Sequence, residues 1–142
     1  MFSVEKSIEI ESPPGEVFSF LDDPRNHVKI TPSLIQVSDI ETLSNGGKRA
    51  KYRYKLAGVE LVGRVEDVDR SPGKRLVQDL SGAIDGTISY DLRQNGGTVV
   101  HYEAEYRLPD TVVDTVLAPV AKAYNEREAE ATVENLKAFL ES

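Results

Sequence analysis

The chain has 142 residues, of which 39% are hydrophobic and 29% charged, and these proportions are typical of one globular domain, here residues 1–142, with a buried core. Its net charge of −7 and pI near 4.9 exclude nucleic acid and anionic membranes as main partners, because both are bound by clustered Lys and Arg. The absence of cysteine excludes disulfides, thiolate chemistry and cysteine-ligated zinc or iron–sulfur sites.

The first predicted element is a strand. Residues 2–11 alternate apolar and polar side chains, which indicates a half-buried strand and not the apolar run of a signal peptide. No later stretch approaches the roughly 18 apolar residues of a membrane span, so we expect no stable membrane insertion. The absence of cysteine fits a reducing compartment, so we expect a cytoplasmic protein. Ser12 is placed to cap a short helix with Pro13 in its first turn, and Pro24 ends that helix or begins a second one.

From residue 34 the period of two returns in six further segments, and each segment ends at a turn signal rich in Gly, Pro or Asn. The six predicted strands are residues 34–43, 48–58, 59–69, 74–82, 83–94 and 98–109. Their short connections predict an antiparallel meander. Residues 110–140 contain no glycine and predict one long helix, which is the only element able to cover the apolar face of the sheet. The predicted class is α+β.

The predicted inward face of the sheet is the side of each strand that carries more apolar residues. Five of the six tyrosines fall on this face, together with Gln78 and the mid-strand glycines Gly63 and Gly86. A sealed core would favour Leu, Ile and Phe, so tyrosine hydroxyls mixed with glycines indicate the wall of a cavity with a few polar anchors. The alternative is that each tyrosine spans the edge of the core with its hydroxyl in water.

The predicted C-terminal helix carries two apolar stripes on nearly opposite sides. The stripes are Val113, Leu117, Val120 and Tyr124, and Ala129, Val133, Leu136 and Leu140. A straight helix cannot bury both stripes on one partner. A kink at Pro119 would turn the first stripe over the cavity mouth. Alternatively, Ala118, Ala121 and Asn125 continue the second stripe and leave space above the sheet, or one stripe forms a homodimer contact.

The sequence contains none of the common nucleotide-binding, metalloprotease or serine-hydrolase motifs. His27 follows Asp22 and Asp23, but no third well-spaced ligand accompanies them, so we predict neither a metal site nor a cofactor. His101 falls on the outward face of its strand, and Glu128 falls in an acidic run of the last helix. Both are predicted to be solvated, and no catalytic residue is assigned.

Four segments resemble the START-like, helix-grip (SRPBCC) superfamily, in particular its polyketide cyclase/dehydrase and lipid-transport branch. They are residues 8–37, 63–76, 86–109 and 131–141, and the resemblance spans nearly the whole chain. It implies a helix-grip fold, in which a curved seven-stranded antiparallel sheet and two short helices enclose a cavity beneath the long C-terminal helix.

The tyrosine-lined face and the resemblance together predict a protein that binds a small hydrophobic or aromatic molecule for transport or sequestration. The predicted ligand-binding residues are Tyr52, Tyr54, Leu61, Gln78, Ile88, Tyr90, Tyr102, Tyr106, Val116, Val120 and Tyr124. One alternative is a cyclase- or dehydratase-type enzyme acting on a polyketide-like carbonyl compound, which requires an ionisable group inside the cavity. The other is an accessory module that acts through a protein partner.

Overall fold

The computed structural model describes residues 1–56, 58–110 and 118–142. Its elements are β1 (Phe2–Ile10), α1 (Pro14–Asp22), α2 (Pro24–Ile30), β2 (Leu34–Thr42), β3 (Lys48–Leu56), β4 (Val59–Ser71), β5 (Arg75–Gly82), β6 (Asp85–Gln94), β7 (Thr98–Arg107) and α3 (Ala118–Glu141). The predicted order of elements is confirmed, and Pro24 begins a second short helix. Within the described ranges, no helix is both long and apolar enough to cross a membrane.

All seven strands form one curved antiparallel sheet in the order β1-β7-β6-β5-β4-β3-β2, which confirms the predicted meander. The first strand joins the end of this meander, because β1 pairs with β7 from Phe2 opposite Tyr106 to Ile10 opposite Thr98. β1 and β2 are therefore the two edges. A β-bulge between Asp67 and Asp69 interrupts the pairing of β4 with β5.

The cap of the first helix differs from the prediction. Pro13 is the N-cap of α1 and no side chain caps it, because Ser12 lies one residue too early. The Ser12 hydroxyl instead donates to the Glu16 carboxylate at 2.9 Å, and its carbonyl accepts from the Thr98 hydroxyl at 2.7 Å. These bonds fasten the turn between β1 and α1 to the start of β7. The second helix has a side-chain cap, since Asp23 accepts a backbone N–H of its first turn.

The core is divided into two hydrophobic clusters. The first cluster joins α1, α2, β1, β5 to β7 and the C-terminal half of α3. The second cluster joins β3, β4, the residues flanking β6 and β7, and the beginning of α3. Tyr106 packs against both clusters.

In the described part of α3, the buried residues show which of the two apolar stripes faces the sheet. Ala121, Asn125, Ala129, Val133 and Leu136 are buried in succession. The second stripe therefore continues toward the start of the helix through small or polar side chains, as one of the three arrangements predicted. Val120 lies on another side of the helix and is 51% exposed. Val113, Val116 and Leu117 lie outside the described residues.

The predicted inward face of the sheet is confirmed on β3, where Ala50, Tyr52 and Leu56 are buried while Lys51 and Arg53 are exposed. The same alternation holds along β7, whose even-numbered residues from 98 to 104 are buried. One face of the sheet thus meets α3, and the opposite face carries the charged residues.

The two mid-strand glycines serve close packing and not cavity space, which corrects their interpretation from sequence. A Cβ at Gly63 would overlap the Tyr52 hydroxyl and the Ser81 carbonyl, and a Cβ at Gly86 would overlap the Glu105 carbonyl. Neither glycine lines the cavity. Glycine is required here because neighbouring groups approach the backbone too closely for any side chain.

We predict that Gly63→Ala lowers the free energy of unfolding by about 1–3 kcal/mol, because the added methyl group must displace Tyr52 or a strand backbone. Gly15→Ala is the matched control. Gly15 lies in α1 with no heavy atom near an added Cβ, so alanine should stabilise the fold by about 0.5–1 kcal/mol. Urea unfolding of both variants measures the two effects, and wild-type stability of Gly63→Ala would contradict the packing described.

Candidate ligand-binding cavity

A cavity lies between the inner face of the sheet and α3, where the two hydrophobic clusters leave a gap. The space free of protein atoms in the cavity and at its mouth, open solvent included, is about 960 Å³. The apolar part of its wall consists of Pro24, Leu34, Val37, Leu56, Val65, Leu80, Ile84, Ile88, Ala104, Leu108 and Ala129. An apolar wall interrupted by a few polar groups is typical of a small-molecule site.

Seven of the predicted ligand-binding residues line this cavity. They are Tyr52, Tyr54, Gln78, Ile88, Tyr90, Tyr102 and Tyr106. Leu61 is buried in the second cluster and does not reach the wall. Tyr124 and Val120 do not line the cavity. The Tyr124 hydroxyl forms a hydrogen bond with the Ser33 hydroxyl, and Val120 is on the exposed side of α3. Val116 lies outside the described residues.

The tyrosines of the wall differ in hydrogen bonding and in burial. The Tyr52 hydroxyl accepts the backbone N–H of Ile84 at 3.1 Å and lies 3.3 Å from the Ser81 carbonyl, to which it donates. It therefore holds the connection between β5 and β6 in place, and only its ring faces the cavity. Tyr54 and Tyr106 are half-buried, whereas Tyr90 and Tyr102 are only 2% and 7% exposed.

His27 is a polar group at the buried end of the cavity that the sequence analysis did not assign to the site. Its Nε2 lies 2.7 Å from the Leu21 carbonyl oxygen, so Nε2 carries the proton and donates it. Burial lowers the pKa of His27 and keeps the imidazole neutral, which leaves Nδ1 as a hydrogen-bond acceptor. The ring meets Tyr90 edge-on at 5.9 Å, and Tyr90 meets Tyr102 at 5.3 Å.

Three polar groups belong to the residues that line this buried end. Among the described residues, no hydrogen-bond partner is found for His27 Nδ1 or for the hydroxyls of Tyr90 and Tyr102. No side-chain polar atom in the described parts of the chain is both completely buried and without a partner. All three residues line the cavity, so these groups are at its wall. Burial raises the pKa of both tyrosines, so each hydroxyl stays protonated and can donate.

Gln78 connects the buried end to a carboxyl group behind the wall. Its amide donates to Asp67 at 3.3 Å, and Asp67 also accepts the backbone N–H of Lys48 at 2.7 Å. Asp67 is 3% exposed, and its burial raises its pKa. It lies two residues beyond Val65 on the inward side of β4, so it is an inward carboxyl group that the sequence analysis overlooked.

At the half-buried end of the cavity, α3 contributes two polar side chains, Asn125 and Glu128. Tyr106 donates to the Asn125 side chain at 2.5 Å, and Glu128 accepts the backbone N–H of Ser33 at 2.7 Å. Glu128 was predicted to be solvated, but it is half-buried and lines the cavity. The prediction was wrong because Glu128 lies three residues after Asn125, on the face that turns toward the sheet.

A similar sequence signal was available for His27. Pro24, His27 and Ile30 are the buried residues of α2, and their spacing of three places them on one face of the helix. Interpreted as a polar turn near two aspartates, the same segment predicts no helix face directed at the interior.

The structure also brings Glu5, His101 and Glu103 together on the outer face of β1 and β7, with one potential ligand atom of each within 4.8 Å of the others. Ser7 hydrogen-bonds His101 Nδ1 at 2.9 Å. This group is solvent-accessible and separate from the cavity.

Residues 1–141 match the family described as polyketide cyclase / dehydrase and lipid transport. The chain belongs to this family. The match confirms the resemblance on which the fold prediction rested, and it covers the whole sheet and α3. No curated protein matches the chain closely enough to count as a relative.

Solved structures show the same fold. A START superfamily protein from Mycobacterium smegmatis aligns with a TM-score of 0.78 and 14% identity over 99% of this chain and 98% of that chain. The di-domain ARO/CYC BexL from the BE-7585A biosynthetic pathway aligns with a TM-score of 0.75 and 21% identity over 99% of this chain and 50% of that chain. The Aha1 dimer from Colwellia psychrerythraea aligns with a TM-score of 0.66 and 15% identity over 99% of this chain and 97% of that chain.

We predict that His27 makes folding stability decrease as the pH falls below about 6.5. Its pKa in the fold is below the ordinary 6.5, so the unfolded chain binds the proton more readily. The contribution of His27 to the free energy of unfolding is therefore complete above pH 6.5 and decreases as the pH falls through the lowered pKa. Urea unfolding should show that the stability difference between wild type and His27→Gln shrinks from pH 7.5 to pH 5. An unchanged difference would contradict the buried neutral imidazole.

Proposed function

We propose that this protein binds a small hydrophobic or aromatic molecule in the cavity between the sheet and α3, for transport or sequestration. The observation that carries the proposal is the set of three polar groups at the wall of the buried end, on His27, Tyr90 and Tyr102. Buried polar groups in folded proteins are almost always hydrogen-bonded. Groups that face a cavity instead of a protein partner therefore favour a ligand as their partner.

The apolar wall would provide most of the affinity. Burial of apolar surface contributes about 25 cal/mol per Å², and the wall offers aliphatic and aromatic side chains from β2 to β7. The polar atoms would orient the ligand, since each gains a hydrogen bond in only a few ligand positions. The half-buried end, where Tyr54 and Glu128 lie, is the route of entry in this proposal.

The family supports a hydrophobic ligand. Its description covers lipid transport and polyketide cyclisation, and both activities handle molecules with large apolar surfaces. The BexL protein, whose fold this chain shares, is an ARO/CYC protein from a biosynthetic pathway.

A cyclase- or dehydratase-type enzyme is the second candidate, and His27 is the observation that favours it. That hypothesis required an ionisable group inside the cavity, and the neutral imidazole, with Nδ1 as a hydrogen-bond acceptor, is such a group. The tyrosine hydroxyls beside it are suitable donors to a carbonyl oxygen on which charge develops.

Native mass spectrometry of the protein purified from its source tests the proposed function. We expect one small hydrophobic molecule per chain, removable by organic solvent. The extracted protein should then bind N-phenyl-1-naphthylamine, an uncharged fluorescent probe, with saturable one-to-one stoichiometry. A protein that carries no compound and does not bind the probe would contradict the proposal.

The same experiment separates the two candidates. A binding protein should return one compound that stays unchanged during prolonged incubation with the extracted protein. An enzyme of the cyclase or dehydratase type should instead yield a pair of compounds that differ by one molecule of water or by ring closure.

A further inference from the structure

We propose that the cavity selects uncharged ligands that carry a hydroxyl group at their buried end, and that it rejects carboxylates of the same shape. This inference rests on the proposed function, because it specifies the ligand chemistry of that same site. It follows from two properties of the described wall: it contains no cationic side chain, and hydrogen-bonding groups lie together at its buried end.

The part of the wall that the structure describes contains no lysine or arginine. Residue 57 and residues 111–117, which the structure does not describe, contain none either. A ligand carboxylate in the cavity would therefore lose its hydration without gaining a cationic partner. Burying an unpaired carboxylate is strongly unfavourable, so such a ligand would have to take up a proton or remain outside.

The charges that are present add to this discrimination. Glu128 is the carboxyl group in the described part of the wall, and its hydrogen bond to the Ser33 backbone N–H holds it there. Asp67 lies directly behind Gln78, at 3.3 Å from its amide nitrogen. The Glu128 carboxylate would repel an anion, and neither Asp67 nor the neutral imidazole of His27 offers a compensating positive charge.

The buried end is matched to a hydroxyl group. A ligand hydroxyl can donate to His27 Nδ1 and at the same time accept from the hydroxyl of Tyr90 or Tyr102. An ether or a ketone can only accept, so it would leave Nδ1 without a hydrogen bond. A site whose buried groups are built to hydrogen-bond discriminates strongly against an analogue that leaves them unpaired.

Displacement of N-phenyl-1-naphthylamine at pH 7.5 by three naphthalenes of similar size tests this inference. The ligands are 2-naphthol, which is uncharged and donates, 2-methoxynaphthalene, which only accepts, and 2-naphthoate, which is anionic. We expect 2-naphthol to displace the probe at a concentration about tenfold lower than 2-methoxynaphthalene. It should act at a concentration at least about a hundredfold lower than 2-naphthoate.

Variants connect the preference to the residues. His27→Leu should make 2-naphthol and 2-methoxynaphthalene nearly equal, because the acceptor is lost. If that variant does not fold, Tyr90→Phe combined with Tyr102→Phe keeps both rings and should reduce the preference for 2-naphthol several-fold. Tyr124→Phe is the matched control, since Tyr124 does not line the cavity, and it should keep the wild-type preference.

The outcomes separate this inference from the proposed function. Probe binding with equal displacement by 2-naphthol and 2-naphthoate would overturn the selectivity and leave the binding function intact. Equal displacement by 2-naphthol and 2-methoxynaphthalene would overturn the role of the hydroxyl. Failure of the extracted wild-type protein to bind the probe at all would overturn the proposed function itself.

Discussion

The short side chains that α3 presents to the sheet are the constraint on which the rest of the structure depends. Ala121, Asn125 and Ala129 face inward along the first half of the described helix, while the larger Val133 and Leu136 follow near its C-terminal end. The helix therefore closes on β1 and the short helices at one end and leaves a gap above the strands at the other. The division of the core into two clusters, and the cavity between them, follow from this arrangement.

The cavity wall uses tyrosine in two physically different ways. The Tyr52 hydroxyl is fully engaged with the backbone at Ile84 and Ser81, so it stabilises the sheet where a side chain at Gly63 would not fit. The hydroxyls of Tyr90 and Tyr102 instead lie at the wall of the cavity beside a neutral histidine. The first kind fixes the shape of the cavity, and the second kind is available to a ligand, which is why the two should respond differently to removal of the hydroxyl.

Strand order and the inward face could be predicted from the sequence because alternation and short turns are local properties. The buried helix positions were only partly predicted, because packing decides whether a polar side chain on a helix meets the interior or solvent. Glu128 lies three residues after Asn125, and His27 lies three residues after Pro24, so both are on buried helix faces. Each has charged neighbours in the sequence, and these neighbours favoured a prediction of solvent exposure. Gly63 was misinterpreted for a similar reason, since the missing side chain makes room for the hydroxyl of a neighbouring strand and not for a ligand.

The pair of variants Ala129→Phe and Ala123→Phe tests most directly whether the gap beneath α3 is the binding site. Ala129 is buried and lines the cavity, whereas Ala123 is exposed on the same helix, so the same added ring fills the gap in only one of them. In titrations with N-phenyl-1-naphthylamine, Ala129→Phe should unfold cooperatively like the wild type but bind the probe at least about tenfold more weakly. Ala123→Phe should bind it as the wild type does. Wild-type affinity in a folded Ala129→Phe protein would contradict the account.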